Sequence, residues 1–363
     1  MLKRVAALVP NILGTSPGQR VRIESWARHL EPHGWQVDFY PFEDEALHEV
    51  LYSPASVFTK ANRLARCFRR QFDLVLKGPP CDLLLIYREV ALIGPAVLER
   101  LAARLGVPIV YDIDDPVFLP YRSPANGWFS LLKFSRKTHT LFKLSDRIIA
   151  INNLIGNYAA TFNPAVAIVP NCLDTDLYRP APMREPGAVR IGWTGSQSTM
   201  QNLLSIIAPI KRLQSHYTAP LRVIGVGEAG LGNLDVEVKQ WSAAGEIADL
   251  QGCDIGLVPL ADLPWNRWKF FLKTVQYMAC GLPVVARRMG SNSEVIKDGV
   301  NGFLVETEDE WYRRLELLVS NHDLRLRMSH EARKTAVEQF SLERQIPKIA
   351  EILNDVRRRA SLQ

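Results

Sequence analysis

Apolar residues in this chain gather in short continuous runs, and the segments between them are patterned at helical spacing. Residues 4–10 (RVAALVP) form the first run. A Gly/Ser/Pro loop follows, then a helical pattern over residues 20–33 closed by Gly34, then the run WQVDFYPF. That order is a strand–loop–helix–strand unit, the building block of a parallel sheet. The pattern continues with a basic amphipathic stretch over 56–72, the strand CDLLLIYR, and a helix over 95–105 stopped by Gly106. The strand VPIVYDID, a helix over 128–144, and the strands DRIIAIN and AVAIVPN complete the first half. Strands that stay apolar without alternating belong to sheets covered on both faces.

The segment YRPAPMREPGAV is rich in proline and has no period, so it reads as a linker. After it the same order restarts. RIGWTG, LRVIGVG, CDIGLVPL, LPVVARR and GFLVE are strands, helices cover 200–215 and 268–280, and the charge-rich remainder from 308 is helical. A chain of 363 residues exceeds one ordinary core, and two domains are expected, 1–180 and 187–340. No internal repeat is present, which excludes solenoids and propellers.

The net charge of +6 fits either a solvated basic surface or an anionic partner. Nucleic acid is excluded as that partner, because no recognition motif is present and acidic residues alternate with the basic ones. The five cysteines form no C-x-x-C pair and no metal-ligand spacing, which points to a reducing cytoplasm and to no metal site. The opening MLKRVAALVP is too short for a signal peptide and is interrupted by Pro10, Asn11 and Gly14. No apolar stretch approaches the roughly 18 to 20 residues of a spanning helix. The expected location is cytoplasmic, either free or held on the inner face of the membrane.

The run QYMACGLPVVARRMGSNSEVIKDGVNGFLVE resembles the C-terminal signature of the GT-B glycosyltransferases of family 4. The matching residues are Gly281, Pro283, Val284, Val285, Gly290, Glu294, Asp298, Gly299 and Gly302. VPNCLDTDLY and CDIGLVPL resemble two further segments of that family. The QRVRIE, YDIDD and GWTGS motifs resemble a branch common in bacterial cell-surface polysaccharide clusters. The resemblance implies an α/β architecture of two Rossmann-like domains, their parallel sheets facing a central cleft, with the C-terminal helix 341–363 crossing back onto the first domain. It implies retaining transfer of a sugar from a nucleotide-diphosphate sugar to a glycan or lipid-linked acceptor, without metal or other cofactor. UDP-sugar is the favoured donor and GDP-mannose the alternative.

A donor pyrophosphate needs backbone N–H groups and cations that also stabilise charge as the glycosidic bond breaks. Gly18, between the first strand and first helix, is expected near the donor, and Gln19 and Arg20 on the acceptor side. Gly195 and Ser196 occupy the equivalent loop of the second half. Family members often carry an Arg and a Lys just after this strand, and this chain has neither. Lys269 and Lys273, four apart in the apolar setting PWNRWKFFLKTVQYM, are expected to supply that charge from one helix face. The alternative is a solvated basic face. The family also carries two glutamates eight apart, where Trp268 and Gln276 stand here. Gln276 retains hydrogen-bonding capacity for a ribose hydroxyl, and Trp268 can stack on a sugar or base. Gly227 and Glu228 follow another strand and are expected near the nucleotide, or form an ordinary turn. Asn292 and Ser293 suit sugar hydroxyls, and Glu294 serves either the donor or its own helix N-terminus.

On the acceptor side, Asp112, Asp114 and Asp115 crowd one strand end and require solvent or a cation. Asp114 stands where many family members carry a histidine facing the acceptor, and is expected to orient or deprotonate an acceptor hydroxyl. Arg88 and Glu89 end the neighbouring strand. Arg88 either neutralises the Asp run or holds an acceptor phosphate. Two stretches combine basic and bulky apolar residues suited to an anionic membrane surface: Lys60, Arg63, Arg66, Arg69 and Arg70 with Leu64, Phe68 and Phe72, and Lys133, Arg136, Lys137 and Lys143 with Phe129, Leu132, Phe134 and Phe142. Ordinary amphipathic helices packed on a core are the alternative. Two rival functions remain: a non-catalytic nucleotide-sugar-binding subunit, favoured by the missing glutamate pair, and a GT-B-shaped epimerase or phosphorylase.

Overall fold

Each of the apolar runs becomes a strand, most of them buried on both faces, and the alternating run VEVK adds one more. In the computed structural model, which describes residues 2–51, 57–120, 134–181, 187–227 and 231–362, they are β1 (Lys3–Val9), β2 (Trp35–Pro41), β3 (Leu83–Tyr87), β4 (Ile109–Ile113), β5 (Arg147–Ala150) and β6 (Val166–Ile168), then β7 (Ile191–Thr194), β8 (Leu221–Ile224), β9 (Val236–Lys239), β10 (Ile255–Val258), β11 (Val284–Arg287) and β12 (Gly302–Val305). The chain divides into two compact units, Met1–Cys172 with Gln345–Gln363, and Leu173–Arg344. The division at Leu173 precedes the proline-rich segment rather than following it.

The first unit holds a six-stranded sheet in the order β2-β1-β3-β4-β5-β6, and the second a six-stranded sheet in the order β12-β11-β10-β7-β8-β9. Every pairing is parallel. Strand order reverses between β1 and β3 in the first sheet and between β7 and β10 in the second. Open α/β sheets bind ligands at such switch points, beyond the carboxyl ends of the strands.

Local structure departs from the sequence expectations at three helices. The pattern expected over 20–33 starts earlier, at the short helix Pro17–Gln19, and passes through a wider π turn at Arg20–Glu24 before the helix Ser25–Leu30. The helix expected over 200–215 is broken into Met200–Leu204 and Ile207–Gln214. Pro209 has no N–H to continue the ladder across the break. The helix expected over 268–280 begins only at Leu272 and runs to Ala279. The backbone N–H of Phe271 donates instead to Ser291 Oγ at 3.0 Å.

The helix Leu342–Ala360 closes the chain. Within it Ile346, Ile349, Leu353 and Val356 are buried, and Arg357 pairs with Asp82 of the first unit at 3.0 Å. Among the described residues no helix is long and apolar enough to cross a membrane, and no group of three His, Cys, Asp or Glu could hold a metal ion.

Candidate functional site

In the second unit the switch point lies where β7 ends in Thr194-Gly195-Ser196. A Cβ on Gly195 would fall 2.2 Å from the Trp193 ring and 2.7 Å from Thr199 Oγ1, so only glycine lets the loop turn there. Gly225, after β8, has φ +99°, and a Cβ on it would lie 2.3 Å from the Gly195 carbonyl oxygen. The two loops therefore touch backbone to backbone. Ser196 is exposed beside them, its N–H donating to Thr199 Oγ1 at 2.9 Å.

Lys273 reaches this loop from the first turn of the helix Leu272–Ala279. Its ammonium donates to the Thr194 carbonyl and lies 5.4 Å from the centre of the Trp193 ring. Among the described residues no carboxylate pairs with it. Burial, with the charge of Lys269 added, pulls its pKa down to about 8, against a smaller opposing pull from Glu246. Lys269 is exposed and lies in the loop before the helix rather than one turn along it. The expected i, i+4 face is therefore absent, although the two charges still sense each other through space.

Gln276 is 8% exposed, and its amide donates to Tyr178 Oη at 3.1 Å and to Glu246 Oε1 at 3.4 Å. The Tyr178 hydroxyl donates to Glu246 Oε2 at 2.7 Å, and Trp241 Nε1 to Glu246 Oε1 at 3.2 Å. Burial and the Glu246 charge raise the Tyr178 pKa, so the phenol stays protonated. The indole of Trp241, two residues past β9, is 43% exposed beside Gly225. Sequence reasoning overlooks Tyr178, Trp241 and Glu246. Trp241 is signalled by the short alternating run VEVK, which becomes the partly exposed strand β9, and Tyr178 ends the segment VPNCLDTDLY.

The other donor-side candidates separate. Trp268 is half-buried in the turn before the helix. Gly227 is exposed and a Cβ there would meet open space. Glu228 lies outside the described residues. Ser293 and Glu294 are exposed on the short helix Asn292–Val295. Asn292 corrects the expectation of sugar contact. It is fully buried, accepts from Thr274 Oγ1 at 2.7 Å and donates to the Arg287 carbonyl at 3.2 Å, so it pins the helix Leu272–Ala279 to the end of β11.

Residues 188–321, all within this unit, match the family model described as glycosyl transferases group 1. That match spans 134 of the 363 residues, so the likeness to this family belongs to the second unit alone. D-inositol 3-phosphate glycosyltransferase of Corynebacterium jeikeium (strain K411) is 29% identical over 213 residues, which are 50% of this chain and 50% of that protein. The chain matches from about a fifth to half the length of its curated relatives. Among solved structures, a glycosyltransferase from Rickettsia africae ESF-5 superposes with a TM-score of 0.70 at 15% identity, covering 98% of each chain. Anabaena Alr3699/HepE in complex with UDP-glucose superposes with a TM-score of 0.66 at 16% identity, covering 97% of this chain and 100% of that one. At those identities the likeness is one of fold, and the fold is GT-B.

Within the second unit the glycines of the signature run fix the backbone. Gly290 has φ +54°, and a Cβ there would lie 2.8 Å from the Asn266 carbonyl oxygen and 2.9 Å from that of Lys269. Gly302 allows β12 to approach the Val284 carbonyl, where a Cβ would come to 2.6 Å. Asp298 accepts from the Leu304 N–H at 2.9 Å. Together they hold β11 and β12 and the loop carrying Lys269.

In the first unit the switch point is built around Asp114. Its Oδ2 accepts from Tyr87 Oη at 2.7 Å and from Arg88 Nη2 at 2.7 Å, and its Oδ1 from Arg88 Nε at 2.5 Å. Arg88 also pairs with Asp115 at 2.6 Å. Arg88 thus bridges Asp114 and Asp115. Among the described residues it is the one non-glycine at positive φ, 58°, a strained conformation of the kind that clusters at functional sites. Burial pushes the Asp114 carboxyl up, but the Arg88 charge and hydrogen bonds, with Arg22 and Tyr87, outweigh it and hold the group ionised. A Cβ on Gly18 would lie 2.9 Å from Arg88 Nη2 and 3.1 Å from Asp114 Oδ2, so this glycine makes room for that pair.

Asp112 corrects the acceptor-side expectation. It is fully buried and bidentate with Arg22 at 2.6 and 2.8 Å, and burial pushes its carboxyl up to about 6 despite that partner. The π turn carries Arg22 to it, a pairing the sequence spacing does not reveal. Gln19 is likewise buried, exchanging hydrogen bonds with the backbone of Asn11. Glu89 pairs with Lys137 at 2.5 Å. Arg20 is partly exposed on the π turn.

Proposed function

We propose that the chain transfers a sugar from a nucleotide-diphosphate sugar to a glycan or lipid-linked acceptor in the cytoplasm, with retention and without a metal. The observation that carries this reading is Lys273. A cation without a carboxylate partner, its pKa pulled down by burial, stands at the end of β7 in the switch-point crevice of the unit that matches group 1. Such a group is stabilised by an arriving pyrophosphate and can stabilise the charge left on it as the glycosidic bond breaks. The Ser196 hydroxyl and the Gly227 N–H are the candidate donors to the same anion, Gly195 allows its close approach, and Lys269 adds charge. The exposed Trp241 indole suits stacking on the base, while Glu246, Tyr178 and Gln276 keep it in place. Ser293 and Glu294 remain the candidates for the sugar. A UDP-sugar is the favoured donor, in keeping with the UDP-glucose bound by the structurally similar Anabaena protein, and GDP-mannose is the alternative.

On the acceptor side, Asp114 serves as an orienting group rather than a base. A carboxylate offers about four lone-pair sites. Tyr87 and Arg88 occupy three, leaving one for an acceptor hydroxyl. Asp114→Asn is expected to lower transfer at least tenfold with donor affinity unchanged, since one lost charge-assisted bond costs ~1.5–3 kcal/mol. Equal losses in transfer and donor binding would return Asp114 to a purely structural task.

A second reading has its own observation. Trp268 and Gln276 occupy the positions of the family's glutamates, and the Gln276 amide is already committed to Tyr178 and Glu246, which favours a nucleotide-sugar-binding subunit without turnover. Thermal stabilisation against UDP-, GDP-, ADP- and dTDP-sugars, followed by product analysis, separates the readings. A ligand at a hundred times its Kd stabilises by about 2.7 kcal/mol. A shift with one nucleotide class plus an α-linked product from an α-linked donor supports transfer with retention. A shift without turnover on any acceptor supports the binding subunit, and no shift with any nucleotide sinks both.

A further inference from the structure

The helix Val57–Lys77 presents two unlike faces. Leu64, Cys67, Gln71 and Val75 are buried and form its packing face. That face accounts for the helical periodicity and leaves the opposite side unexplained. There Phe58 is 81% exposed, Leu76 57% and Phe72 36%. At 3.6 residues per turn these three and Arg69 fall within roughly 60° of arc, and the exposed Asp73, then Arg66 and Lys77, follow along one edge of it. The helix carries six basic residues, Lys60, Arg63, Arg66, Arg69, Arg70 and Lys77, against one acid, Asp73. Arg70 is anchored on Asp44 and on the carbonyls of Pro41 and Phe42. Among the described residues no carboxylate pairs with Arg63, Arg66, Arg69 or Lys77.

The second stretch with the same composition behaves otherwise. Phe142 is fully buried, and Lys137 is buried in its pair with Glu89. Phe129, Leu132 and Lys133 lie outside the described residues. Phe134, Arg136 and Lys143 are exposed, so the described part of that stretch offers one exposed aromatic against the three large apolar side chains on Val57–Lys77.

We infer that the outer face of Val57–Lys77 docks the first unit on an anionic lipid bilayer, with Phe58, Phe72 and Leu76 entering the headgroup–acyl boundary and Arg66, Arg69 and Lys77 contacting lipid phosphates. Charge complementarity selects an anionic partner. The aromatic and leucine side chains between the cations select a bilayer over a soluble polyanion, because an amphipathic helix in an interface needs both. This inference does not depend on the donor assignment.

Flotation of the full chain with phosphatidylglycerol-containing vesicles and with pure phosphatidylcholine vesicles tests it. Binding is expected to the former alone and to weaken with salt. Removing a basic residue near the surface weakens partitioning roughly fivefold, so R66E/R69E is expected to lose at least about 25-fold. F58S/L76S, altering only exposed positions, is expected to lose binding while melting like the wild type. Phe58→Trp should show a blue-shifted emission when anionic vesicles are added. Failure to float with either vesicle, equal binding to both, or vesicle binding by F58S/L76S at the wild-type level overturns the inference, the last by reducing the face to an electrostatic patch.

Discussion

At Lys273 function and stability pull in opposite directions. Its folded pKa of about 8 lies below the ordinary lysine value of ~10.4. Folding therefore penalises the cation fully below pH 8, and the penalty fades as pH rises from about 8 towards 10. Lys273→Met keeps the aliphatic stem over Trp193 and removes the charge. The variant is expected to melt higher than wild type at pH 7, by about 2–4 °C for each kcal/mol relieved in a unit of this size. That gain should shrink above pH 8, where the wild type sheds its own proton. Turnover of the donor should fall on the order of a hundredfold, and wild-type donor affinity should itself decline through pH 8. A variant that melts lower and turns over normally would make Lys273 a packing residue. Chemical type is legible in the sequence at this position, since a lysine in an apolar run demands a reason. Its geometry is not. The i, i+4 relation with Lys269 fails because the carbonyls of Asn266 and Lys269 pack against Gly290, a contact between segments that helical periodicity does not encode.

The strands are the elements most legible from the chain, because a parallel strand covered on both faces must be apolar throughout. β9 escapes notice because it is short, alternating and partly exposed, and the candidate base-stacking residue Trp241 escapes with it. The helix Leu272–Ala279 shows what holds a functional element in register. Gly256 of β10 lies under it, and a Cβ there would fall 2.4 Å from the Tyr277 ring. The Tyr277 hydroxyl in turn accepts from the Thr194 N–H at 2.9 Å. Gly256→Ala must therefore push away the helix that carries Lys273 and Gln276. Overpacking of this kind costs ~1–3 kcal/mol, and the variant is expected to lose several degrees in Tm and donor affinity together. An unchanged nucleotide Kd in a destabilised Gly256→Ala protein would show that the site tolerates movement of its helix. The candidate site as a whole is legible to the same extent as its loops. Gly195 and Lys273 announce themselves by residue type in context, whereas Asn292, Asp112 and Gln19 look like surface donors and acceptors until burial shows their hydrogen bonds committed.

For the whole molecule, the sequence indicates two α/β units but not where the first one ends. The unit of β1–β6 is completed by Gln345–Gln363, which buries Ile346, Ile349, Leu353 and Val356. Fully burying one such side chain is worth ~1.5–3 kcal/mol, so four together rival the ~5–15 kcal/mol by which a domain is stable. A chain ending at Arg344 is expected to keep the cooperative melt and nucleotide-induced shift of the second unit while the first loses its transition and exposes apolar surface to a hydrophobic dye. Two intact transitions in that truncation would show that the closing helix is dispensable.

The discontinuity of the first unit also sets a timetable during synthesis. The second unit is one unbroken stretch, with no distant segment of its own to wait for. The first unit begins earlier but must wait until the second has been made, roughly ten to thirty seconds at ~5–20 residues per second. Through that interval an incomplete parallel sheet stands without its closing helix, exposed to chaperones and proteases. The unit translated first is the one finished last, so cellular yield of this protein should be governed by protection of its N-terminal half.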